Sequence, residues 1–218
     1  MSKARQLASL WLWAALICFV WIGGTYSVGS PAQEQEATTA HFTPPEGCVP
    51  DPRLALATRS VQACIKRLGP TDEFIMGLRV RRYRPNSPGV HVSKESAQQA
   101  VEDHVAELRE ANRTAPGQAL LSFEHMATIP KSFPPGADYC ELVDAVQIDR
   151  RVPGYEAQDF RIWVESFICA RADLATNTIE LLDLRWSERF RVATDKKHIY
   201  DVLQIMNKGL EAAHSLRY

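Results

Sequence analysis

The sequence predicts an α+β fold: a mainly antiparallel sheet of about five strands with three helices packed mostly on one face, after an N-terminal apolar segment. Three observations lead there. First, Tyr139 to Phe190 reads as consecutive strands, Cys140–Arg150, Asp159–Arg171 and Thr178–Phe190, rich in Val, Ile, Phe and Trp. The breaks between them, Val152-Pro153-Gly154-Tyr155 and Asp173-Leu174-Ala175-Thr176-Asn177, are turn-like. Second, other stretches carry capped, one-sided helical periodicity. Third, no strand–helix–strand repeat with a Gly-rich turn occurs, which disfavours a doubly wound parallel sheet.

Residues 1–29 read as a signal peptide or signal-anchor helix. Lys3 and Arg5 precede an uncharged apolar run from Leu7 to Ile22. A spanning helix needs about 20 apolar residues, so a cleaved peptide and a retained anchor both fit. Cys18 reads as a buried cysteine of that run, because Ile17 before it is not the small residue a lipid-modified cysteine needs. Residues 30–47 form a polar, Pro-containing linker, and 48–218 a single extracytoplasmic domain. The localisation this implies is periplasmic or secreted, with the membrane as a partner if the segment is uncleaved. Hydrophobic residues make up 45% and charged residues 23%, which suits a globular chain. The net charge of -1, or -3 without Lys3 and Arg5, gives no reason to invoke nucleic acid.

The body carries four cysteines, Cys48, Cys64, Cys140 and Cys169. An even number in an exported domain predicts two disulfides, with three possible connectivities. Cys140 and Cys169 are symmetric about Gly154-Tyr155, so a symmetric hairpin sets them opposite each other. The same register sets Asp144 against Glu165, two carboxylates together; a bulge would relieve that and separate the cysteines.

In chain order, Asp51-Pro52 caps a first helix whose stripe Leu54, Ala57, Val61, Cys64 and Leu68 runs to Gly69-Pro70. A helix that long rises about 19 Å between Asp51 and Cys64, of which a three-residue lead recovers only about 10 Å. The remaining gap of roughly 9 Å exceeds the ~7 Å limit for a disulfide. Either the helix begins about a turn later, or Cys48 and Cys64 bond to the strands; the Asp51 cap and a Cys48–Cys64 bond cannot both hold. Glu73 to Tyr83 alternates as a half-buried strand, and Ser93 caps a second helix to about Asn112 with Ala97, Ala100/Val101, His104/Val105, Leu108 and Ala111 as its apolar stripe. Gln118–Met126 is a strand, Ile129–Ala137 a Pro-rich loop, and Thr194 caps a last helix from Asp195 to about Leu216. Within the meander the second turn sets Glu165 opposite Arg185 and Ile168 opposite Leu182.

The chemistry is mostly negative. The histidines show no metal-ligand spacing, and there is no P-loop, dinucleotide-binding glycine run or G-x-S-x-G, so neither cofactor, metal nor catalytic residue is assigned. Binding candidates are Arg79, Arg81, Arg82, Tyr83 and Arg84, a basic strand end that also reads as a solvated edge, and Phe133 in the Pro-rich loop. Trp163 and Trp186 read as core, and Asn112-Arg113-Thr114 matches a glycosylation sequon. The reading is an extracytoplasmic, non-catalytic protein that binds another envelope or secreted protein, as an assembly accessory or a toxin-neutralising immunity protein. The alternative is a small-ligand carrier or hydrolase with a dispersed site, Arg79–Arg84 with Glu124, His125 or Asp138.

Overall fold

A computed structural model describes residues 40–69, 72–85, 89–115, 118–129, 134–149, 160–191, 207, 209 and 211–217. The leader, Phe133, the first hairpin turn and Thr194 lie outside them. The sheet is antiparallel throughout and has seven strands rather than about five. They are β1 (Val49–Pro50), β2 (Gln62–Arg67), β3 (Glu73–Tyr83), β4 (Gln118–Ile129), β5 (Tyr139–Asp149), β6 (Phe160–Asp173) and β7 (Thr178–Arg191), in the spatial order β1-β2-β3-β7-β6-β5-β4. The helices are α1 (Pro52–Thr58) and α2 (Lys94–Thr114), with further helical residues at 207, 209 and 211–214. Among the described residues no helix is long and apolar enough to cross a membrane.

The extra strands come from the first helix. Asp51 does cap α1, its carboxylate accepting from the Arg53 and Leu54 amides. The helix stops after two turns, where Arg59 takes a left-handed conformation, and the chain returns as β2. Of the apparent helical stripe only Cys64 lies within β2, where it is fully buried; Val61 precedes the strand and Leu68 follows it. This corrects the exclusion drawn above. Because the helix ends early, the Asp51 cap and a Cys48–Cys64 disulfide coexist, with Cα atoms 5.5 Å apart.

Cys140 and Cys169 face each other in β5 and β6 and are bonded. No bulge interrupts that ladder, so Asp144 does face Glu165; the register shifts fall in β4 instead, at Leu120/Ser122 and His125/Ala127. The second hairpin corrects the expected register by one residue. Asp173 pairs with Thr178, so Glu165 lies opposite Trp186 and Arg185 opposite Ser166. A slip of one sends every side chain to the other face, so Glu165 and Arg185 point to opposite sides.

One face carries α2 and α1. Ala97, Val101 and Leu108 of α2 pack on Val143, Ile168, Ala170 and Leu181, and Leu54 of α1 on Ala63 and Ile75. We call it the α2 face. The other, the arm face, buries Phe74, Met76, Leu78, Leu182, Leu184 and Trp186 against Ala40, Phe42, Ala212, Ala213 and Leu216. Burial of each large side chain contributes about 1.5–3 kcal/mol over exposure. Gly209 lies directly on the Trp186 indole: an added Cβ would stand 2.4 Å from Nε1. Ala40 and Phe42, within the stretch read as linker, thus belong to this core.

Candidate functional site

Two clusters of buried polar groups lie back to back through the sheet. On the α2 face, Asp183 of β7 is fully buried. His104, on the inward stripe of α2, places Nε2 3.1 Å from Asp183 Oδ2 and Nδ1 3.5 Å from Glu107. Arg185 Nη2 is 3.8 Å from Asp183 Oδ2, and its Nε donates to the Ser166 hydroxyl. Burial alone would raise the Asp183 carboxyl; Arg185, the His104 bond and Arg79 outweigh it and hold the group well below the usual carboxylate range.

This cluster absorbs much of the basic run. Arg79 is buried and donates to the Thr58 carbonyl, and burial, with Arg185 nearby, lowers its pKa to about 9. Arg81 reaches Glu107 at 2.9 Å, while Arg82 turns to the arm face and meets Glu180, which Arg171 also binds at 2.7 Å. Tyr83 and Arg84 are exposed. The run is therefore no solvated sheet edge: β3 lies inside the sheet, between β2 and β7. Strand alternation splits the arginines between faces, so they do not converge on one ligand.

On the arm face, a row crosses the sheet through Glu124, Asp144, Glu165, Trp186, Met76 and Cys64. Asp144 and Glu165 are 7% and 8% exposed. Trp163 Nε1 donates to Asp144 Oδ2 at 3.1 Å, and Asp144 Oδ1 and Glu165 Oε2 are buried with no hydrogen-bond partner among the described residues. Burial and the Glu124 charge raise Asp144, against the Trp163 bond. Burial and then Asp144 push Glu165 up to about 7, against the Trp186 indole. Two carboxylates facing each other with no cation partner among the described residues each favour the protonated form of the other. Among the described residues no group of His, Cys, Asp and Glu could hold a metal ion.

The remaining suspects fall elsewhere. Asp138 accepts from the Ala172 amide and lies 3.5 Å from Lys94, so it extends the β5–β6 pairing toward the start of α2. Asn112 of the sequon is 3% exposed and donates to the Leu108 carbonyl, a position no glycosyl transfer can reach in the fold. The acidic pair was legible only as a register conflict, and its Trp163 donor carried no sequence signal.

The two disulfides support an extracytoplasmic location. No family model matches the chain, and no curated protein matches it. Among solved structures the chain is similar to LpqN, a protein involved in cell envelope biogenesis of Mycobacterium tuberculosis, at 9% identity over 88% of each chain. The TM-score is 0.43, too low for that likeness to carry an argument.

Proposed function

We propose that the protein is an exported, non-catalytic module that binds another protein, whose extended segment pairs with the outer side of β4. The carrying observation is the contrast between the two sheet edges. β1 is two residues long and includes Pro50, which has no N–H to offer. β4 is twelve residues long, and among the described residues nothing pairs with its outer side. Open edges ordinarily carry Lys, Arg or Pro as a guard. Gln118–Ile129 has none of these and a single carboxylate, and Leu121 at the first register shift is 47% exposed. The shifts bend the strand, which favours a short, pliant partner segment over a second flat sheet.

A photo-cross-linking residue at Leu121 tests this, with one at Leu174, 73% exposed in the β6–β7 turn, as control. We expect one stoichiometric protein from position 121, none from 174, and an affinity loss of roughly tenfold or more for Leu121→Lys. The purified partner should protect β4 amides from exchange. Repeated failure to recover a stoichiometric protein would overturn the reading.

A further inference from the structure

Asp144 and Glu165 face each other in mid-strand, both buried, and one oxygen of each has no hydrogen-bond partner among the described residues. Two ionised carboxylates so placed repel in a medium that screens poorly, and a cation would be the usual remedy. Glu124 faces the pair from β4; Arg161 and Trp163 share its side of β6; Glu188 and Trp186 stand on β7; Met76 and Leu78 of β3 are apolar. Of the described C-terminal residues, Gly209 covers Trp186, while Glu211 and His214 are exposed. Among the described residues, the charges that act on the pair are carboxylates.

We propose that Asp144 and Glu165 share one proton in the folded protein, making the β4–β5–β6 half of the sheet a lock that tightens on acidification. With the proton in place, one carboxylic acid donates to the other carboxylate across the strand pair. When the proton leaves to solvent, three carboxylates in a row, Glu124 included, repel across three strands. The inference stands apart from the docking of a partner, since it concerns the chain alone.

The direction of the pH response follows. Glu165 rises from 4.5 to about 7 on folding, and Asp144 also rises. Across that window the folded state holds more protons than the unfolded one. Stability therefore falls as pH rises from about 4.5 to about 7, and stays reduced above it. Ordinary acid denaturation runs the other way.

Chemical denaturation of the oxidised protein at about pH 5 and about pH 8 provides the test. We expect the unfolding equilibrium constant to grow by at least about tenfold between them. Glu165→Gln and Asp144→Asn should each remove most of that growth, and the double variant should add little. The infrared carbonyl band of a protonated carboxylic acid should persist in the wild-type protein near neutral pH and vanish in Glu165→Gln, a readout that needs only the folded state. A wild-type protein with no such band, or with equal stability at both pH values, would sink the proposal. If Asp144→Asn leaves the response whole, the proton belongs to Glu165 alone and the sharing is refuted.

Discussion

On the α2 face, Asp183 is fully buried yet held ionised by Arg185, Arg79 and His104. On the arm face, Asp144 and Glu165 are almost as buried and, among the described residues, have each other instead of a cation. The same sheet thus treats buried acid in two ways, by neutralising it with a partner and by keeping a proton on it. A paired buried charge is costly to break but insensitive to mild pH change; an unpaired one is cheap to neutralise and sensitive. Burial alone therefore does not forecast which side chain titrates; the partner does.

Removing one partner on each face gives the widest contrast. Asp183→Asn leaves Arg185 and Arg79 buried without their carboxylate and should cost about 3–5 kcal/mol in denaturant unfolding at neutral pH. Asp144→Asn, equally isosteric, should cost far less or stabilise at alkaline pH. Equal losses at the two sites would break the distinction. A smaller effect is expected at Trp163, which donates to Asp144. Trp163→Phe should cost about 1 kcal/mol and move the pH response upward, because the lost bond had favoured the ionised carboxylate; a pH series of melting temperatures checks both. Smallest is Glu107→Gln. The His104 imidazole, 3.5 Å away, and Arg81 outweigh burial and lower Glu107 to about 2. A depressed carboxyl stabilises above its unfolded value near 4.5, and the contribution fades as pH falls through about 2. The Glu107 side chain is 59% exposed, so screening limits the effect to about 0.5 kcal/mol. A gap between wild type and variant that widened in acid would contradict the assignment.

Local rules were legible where one residue decides one structure. Asp51 and Ser93 marked helix starts, and strand alternation marked β3 from Glu73 to Tyr83. The end of α1 was not legible, since Val61, Cys64 and Leu68 satisfy a helical step, while the short run Gln62–Arg67 forms a strand without an alternating pattern to mark it. Tertiary pairing with β3 decides between them, and no local signal reports it. The register of β7 was missed by one because the turn's centre lies between Ala175 and Thr176, and that half-step moved Arg185 to the far face. The Arg79–Arg84 run looked like a surface because its partners, Asp183, Glu107 and Glu180, lie far along the chain. The Asp144–Glu165 conflict was visible, yet its outcome was not: the fold keeps the clash and tempers it with Trp163 and burial.

The chain enters and leaves the described fold at one place, where His41 and Arg217 exchange backbone hydrogen bonds. Tension applied at Ala40 would first work against that two-bond bridge and the buried Phe42. It would next reach Cys48, from which the covalent link to Cys64 carries load straight into β2, bypassing α1. Pulled from its N-terminal end, the protein should yield its arm early and then resist as a short-circuited sheet, with α1 slack inside a closed loop.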